Sequence, residues 1–125
     1  MVRQKEQIDK NKLGVELDQI EWPVAYIDFE FDTGMAVPRF PGMHAYQRIP
    51  FQWSMHIQDD PGTPLRAADP FLCVTQEDPR RAFIDTLLAA LPESGSIVVH
   101  SKGAEKTVLN HYKEWFEGVY AAQVI

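Results

Sequence analysis

Three carboxylates, Asp28, Glu30 and Asp32, fall on alternate positions of the stretch PVAYIDFEFDTG. Side chains two apart on a strand share a face. Val24, Tyr26, Asp28, Glu30 and Asp32 therefore lie together, while Ala25, Ile27, Phe29 and Phe31 point the other way. The shared face opens apolar and closes acidic, as expected where a buried strand emerges, and ligands of open α/β sheets bind outside the carboxyl ends of strands. Carboxylates held a few ångströms apart repel, and a proton or a cation stabilises them together. An all-oxygen set without cysteine suits Mg²⁺ or Mn²⁺ better than zinc. Asp-x-Glu alone also describes many solvated strand ends, so a second observation has to decide.

Glu105 is that second observation. With about 100° per residue, Val108, Leu109, Tyr112, Trp115 and Phe116 form the apolar face of a helix from Ala104 to Gly118, and Glu105 falls on the same face. A carboxylate in a core-facing stripe is costly without a partner, although the helix dipole helps one in the first turn. The helix follows the apolar run SIVVH, a strand expected to be buried on both faces and to run parallel to the first strand. Glu105 then stands at the same end of the sheet as Asp28 and Glu30. Asp32 reads as a turn residue beside Thr33 and Gly34.

The elements that position these residues can be read from periodicity. Residues 1–22 form a polar leader or short helix. Val24 to Phe31 is a strand, and Ile49 to Ile57 is a second, half-buried one, alternating Phe51, Trp53, Met55 and Ile57 with Gln52, Ser54 and His56. DDPGTP is a turn, and Pro70 to Thr75 a third strand. The period then becomes helical: Asp78 caps, Pro79 takes the first helical position, and Phe83, Ile84, Leu87, Leu88 and Leu91 form one stripe. Pro92 and Gly95 end it. The order β-β-β-α-β-α predicts a mixed α/β sheet, three antiparallel strands and then a parallel one, with helices against its faces. One connection is unusually long: the 18 residues from Thr33 to Pro50 include three prolines and two glycines, and such loops tend to be functional.

Composition narrows the classes. The 125 residues suit one domain, with no run long enough to span a membrane and no signal-peptide segment, so a cytoplasmic protein is expected. The lone Cys73 excludes an internal disulfide framework and reads as a small core residue. A net charge of −6 is the wrong sign for gripping nucleic acid through a broad basic surface, the more so as Arg3, Lys5, Lys10 and Lys12 lie in the leader. Phosphate would have to be met by bound cations or a few placed arginines. Arg39, Tyr46 and Arg48 on the long loop, with Phe40, could clamp a strand by charge and stacking, and Lys102 is a further candidate for substrate contact. His44, His56, His100 and His111 show no ligand spacing and read as surface or edge residues. Arg80 and Arg81 read as a solvated helix start.

YIDFE and the later VVHSKGAEKTVL resemble the first two motifs of the DEDD exonuclease superfamily, which has a ribonuclease-H-like fold. YIDFEF, YQRIPFQWSMH, EDPRRAFIDTLLAAL and SIVVHSKGAEKTVL together resemble more closely the DUF2779 family, grouped with those nucleases, over about Pro23 to Leu109. The resemblance implies a two-metal phosphodiester hydrolase, a 3′–5′ exonuclease acting on a single-stranded DNA or RNA end. Asp28 and Glu30 would bind the metal that activates water, Asp28 also touching the second ion and Glu105 facing it. The chain departs from the motif at Ser101 and Ala104, carries Glu105 where many relatives have Asp, and offers no third acid or general base after it. Residues 23–125 are therefore expected to be a partial domain, incomplete at the C-terminus, with weak catalysis or none. The alternatives are a non-catalytic module binding nucleic acid or protein, and a structural domain whose uncovered sheet edge self-associates.

Overall fold

The computed structural model describes residues 9–32, 34–100 and 102–115. The architecture is α/β, with a mixed open sheet and, among the described residues, three helices. Helix α1 (Lys10–Asp18) is capped by the Asp9 carboxylate, which accepts from the Asn11 and Lys12 N–H groups, and it buries no residue. Strand β1 (Val24–Asp32) runs antiparallel to β2 (Ile49–Gln58). Both are long, alternating and rich in β-branched and aromatic residues, as the sequence predicts.

A short strand that the sequence did not suggest, β3 (Arg66–Ala67), precedes β4 (Phe71–Leu72), which is all that forms of the strand expected from Pro70 to Thr75; both are antiparallel to β2. Ala68, Asp69 and Pro70 separate them. Pro70 has no N–H to give to a ladder, which confines it to a break in an edge strand. Helix α2 (Arg80–Ala90) starts one residue later than expected. Pro79 holds the cap position, and Asp78 reaches past it to accept the Arg80 N–H at 3.1 Å.

Strand β5 (Ser96–Val99) pairs parallel with β1, placing Val99 beside Ile27 and giving the order β3-β2-β1-β5. It was expected to be buried on both faces. Instead Ile97 is 56% exposed and Val98 38%, because β5 is the sheet edge among the described residues and has β1 as its one neighbour there. Helix α3 (Lys102–Trp115) follows directly. Phe116 and Gly118, expected to extend and end it, lie outside the described residues, as do leader residues 1–8.

The core lies on one side of the sheet. Ala25, Ile27 and Phe29 of β1 and Trp53, Met55 and Ile57 of β2 pack against Phe83, Ile84 and Leu87 of α2 and Val108 and Tyr112 of α3. Trp53 Nε1–H donates to Thr86 Oγ1 at 3.0 Å, tying β2 to α2. The expectation of helices on both faces is thus corrected: α2 and α3 share one layer, and the other face carries Tyr26, Asp28, Glu30, Ser54 and His56 toward solvent. None of the described helices is long and apolar enough to cross a membrane.

The long loop is held by a residue expected to be solvated. Arg80 is 4% exposed. Its guanidinium meets both Asp78 oxygens, with Nε to Oδ1 at 3.0 Å and Nη2 to Oδ2 at 2.8 Å, and Nη2 donates to the Pro41 carbonyl at 2.7 Å. It also lies over the Trp115 ring, 4.9 Å from the centroid. The Arg80 carbonyl accepts the Tyr112 hydroxyl at 2.7 Å. Partial burial works to raise the Asp78 pKa. The Arg80 hydrogen bonds and charge outweigh it and hold the carboxyl below its ordinary value.

Two tests follow from these packings. Gly95 has φ +111°, and a Cβ there would strike the Pro23 carbonyl. Gly95→Ala should cost about 1–3 kcal/mol in urea unfolding through backbone strain and that collision. Arg80→Ala should cost about 3 kcal/mol at neutral pH, because Asp78 and Pro41 lose their partner. The folded pKa of Asp78 is lowered, so the pair's contribution is complete above about 3.9 and is lost as pH falls through the folded value. Denaturation at pH 7 and pH 3 should therefore show a difference between wild type and variant that shrinks in acid.

Candidate functional site

Asp28 and Glu30 sit on the solvent face of β1, brought together by the strand's two-residue period. Asp28 is opposite Ser54, Tyr26 opposite His56, and Glu30 opposite Gln52. The register slips immediately after Glu30, since Phe31 pairs with Pro50 and leaves Phe51 as the extra residue on β2. Pro50 cannot donate to the ladder, and a bulge there bends β2 just where the acidic end of β1 begins. Asp32 pairs with Ile49 beyond the bulge and remains in the strand, not in the expected turn. Thr33 lies outside the described residues.

A shallow depression of about 450 Å³ lies on this face, lined by Tyr26, Asp28, Ser54, His56, Val98 and His100 among others. The two histidines were read as surface residues, and they are exposed. What sequence reasoning missed is that they border the same depression as Asp28. The alternation of β2 puts His56 on the face opposite Trp53 and Met55, and the parallel register carries the chain after Val99 toward Asp28.

Glu105 is 5% exposed, as its place in the apolar stripe of α3 predicts. Its Oε2 is buried with no hydrogen-bond partner among the described residues. Leaving a buried charged acceptor unpaired is costly, and such groups in native proteins call for an explanation. Since β5 is parallel to β1 and α3 begins directly after it, Glu105 belongs to the same end of the sheet as Asp28 and Glu30. It sits in the helical layer, however, whereas the other two project from the opposite face. Among the described residues no three His, Cys, Asp or Glu side chains converge as a metal group. The donor chemistry of the three carboxylates fits a hard cation. Their present arrangement brings two of them together and leaves the third in the neighbouring layer.

The candidates for substrate contact divide. Arg48 lies over the Phe31 ring, 4.8 Å from its centroid. Arg39 lies over Phe40 and donates to Gln76 Oε1 at 2.9 Å. It shares a small cleft with Asp32, Cys73 and Glu77. Cys73 is half-buried there, its thiol 3.6 Å from the Thr75 carbonyl, and is not the core residue expected. Tyr46 is an exposed ring on the loop, and Lys102 is exposed at the start of α3.

No curated protein matches the chain, and no solved structure does. The family model described as Domain of unknown function (DUF2779) matches residues 25–122, a span that holds all three carboxylates, the long loop and α3. The chain accordingly belongs to that family.

Proposed function

We propose that the domain performs, or descends from one that performs, divalent-metal-dependent hydrolysis of phosphodiester bonds in nucleic acid, in the manner of a DEDD exonuclease on a ribonuclease-H-like fold. The observation that carries this reading is the buried Oε2 of Glu105, without a hydrogen-bond partner among the described residues, at the end of the sheet where Asp28 and Glu30 emerge. Mg²⁺ or Mn²⁺ bound there would stabilise the attacking and leaving oxygens of an in-line displacement. Asp28 and Glu30 present their carboxylates on one strand face without further ordering, and Glu105 adds a desolvated oxygen from α3. Ser54, His56 and His100 border Asp28 and offer polar contacts to a bound phosphate. The cations would also answer the charge objection, since an acidic chain could meet a phosphate through them.

A non-catalytic module is the second reading. It is favoured by the separation of Glu105 from the two strand carboxylates, and self-association through β5 would accompany it if the exposed edge is covered by a second copy.

Titration with Mn²⁺ by calorimetry separates the two. Wild type should bind, Asp28→Asn should lose at least ten-fold in affinity, and a single-stranded oligonucleotide should be shortened slowly and only with metal present. Equal binding by wild type and Asp28→Asn would remove the metal site. Glu105 gives an independent check of opposite sign. Replacing an unpaired buried carboxylate by Leu should raise metal-free stability by about 1–3 kcal/mol, while abolishing any stabilisation by Mn²⁺. Loss of stability in metal-free Glu105→Leu would mean that the carboxylate already has a structural partner.

A further inference from the structure

Helix α1 buries no residue, and its Leu13 and Leu17 are 46% and 53% exposed. Four residues apart, they share one stripe of the helix. A nine-residue helix with Gly14 at its centre is marginal in water by itself, because helices of that length draw their stability from an apolar face packed against another surface. Within its own copy α1 has no such surface.

The helical layer has a matching gap. Between the end of α2 and β5 lies a groove of about 410 Å³, lined by Ala25, Leu88, Leu91, Pro92, Ser96 and Ile97 among others. Ala25 and Ile97 are register partners and share the core-bearing face of the sheet, yet Ile97 is 56% exposed. The groove is apolar inside and acidic around: the stretch from Ala82 to Ile97 contains Asp85 and Glu93 and no basic residue. Nor does α2 have a basic residue in its last turn to offset the partial negative charge of its C-terminus. Helix α1 is the complement. It begins with Lys10 and Lys12 and has no acid in its first turn, so both lysines oppose the helix dipole. Among the described residues neither lysine has an ion pair.

We infer that two copies of the chain exchange α1, the Leu13 and Leu17 stripe of each filling the groove between α2 and β5 of the other, with Lys10 and Lys12 against Glu93 and the C-terminus of α2. In its own copy α1 stays outside the groove but is anchored at its rim. The Glu21 N–H, shortly after α1, donates to Ser96 Oγ at 2.8 Å, and the Ser96 N–H donates to the Glu21 carbonyl at 2.9 Å. Ser96 lines the groove. A two-fold axis beside this anchor carries each helix over the partner's groove and leaves neither groove open. Reciprocity gives the pair two helix-in-groove contacts, which so short a helix needs to approach the about 800 Å² per partner of a standard interface. The exchange differs from pairing of β5 edges, since it uses side chains on the helical face and leaves the edge N–H and C=O groups as they are. It needs no metal at Asp28.

Sedimentation equilibrium of the whole chain in EDTA, from about 1 μM to about 1 mM, tests the exchange. Wild type should dimerise. Leu13→Asp/Leu17→Asp and Ile97→Lys alter exposed positions, so each should unfold cooperatively as wild type does and yet be monomeric throughout. Mixed in equal amounts, these two variants should form a heterodimer at the upper end of the range, because the intact α1 of one meets the intact groove of the other. Glu93→Lys should weaken the wild-type dimer about ten-fold, and adding Lys10→Glu and Lys12→Glu to the same chain should restore it. A monomeric wild type would overturn the exchange. A dimer that survives Leu13→Asp/Leu17→Asp would overturn it as well, assigning the association to the β5 edge, and so would a mixture of the two variants that stays monomeric.

Discussion

The buried guanidinium of Arg80 joins three parts of the chain that have no backbone ladder in common. It neutralises Asp78 at the start of α2, caps the Pro41 carbonyl in the long loop, and lies against Trp115 at the far end of α3. The Trp115 indole N–H continues the connection to Gln47, which in turn accepts the His44 N–H. An ion pair with one buried member contributes little net stability compared with an apolar isostere, while removing the carboxylate from the buried guanidinium is severe. Its effect is one of placement. The connection from Gly34 to Arg48, which has few ladder bonds of its own, is fixed against the helical layer, and that fixes what stands at the acidic end of β1.

The sheet is asymmetric, and the asymmetry governs how its carboxylates behave. On the helical side Ala25, Ile27 and Phe29 are sealed under α2 and α3. On the other side Asp28 and Glu30 face water, where two like charges coexist at modest cost because the solvent screens them. Glu105 has no such relief, being enclosed in the helical layer with one oxygen unpaired. The acids therefore stand in unequal environments: two solvated on the strand face and one desolvated in the helical layer. A cation that drew Glu105 toward the strand end, as the proposed function requires, would remove that penalty.

Much of this was legible from periodicity. β1 and β2 alternate so cleanly that their core faces follow from parity, and the stripe Phe83, Ile84, Leu87 locates the buried side of α2 without a structure. Glu105 was visible as a charge out of place in a second stripe. Other features depend on contacts that periodicity does not encode. Arg80 looks like any charged residue at a helix start, and its burial becomes apparent only when Pro41 and Trp115 arrive from 39 residues before and 35 after. SIVV reads as fully buried because it is apolar, yet burial needs a neighbour on each side, and β5 has one among the described residues. Pro70 stays outside β4 for a reason the sequence does carry, since it has no N–H to give to a ladder.

Tyr46 shows how the two kinds of information combine. In sequence it is one aromatic residue in a loop rich in proline, with nothing to rank it above Phe40. In the fold Phe40 is taken up, lying beneath both Arg39 and Arg80. Tyr46 is left over, on a backbone that a glycine would adopt more easily. Strain at a position that could be relieved by a smaller residue, joined to a large ring in contact with solvent, is hard to account for by stability alone. Arg48, two residues on, is engaged as Phe40 is, its guanidinium lying over the Phe31 ring.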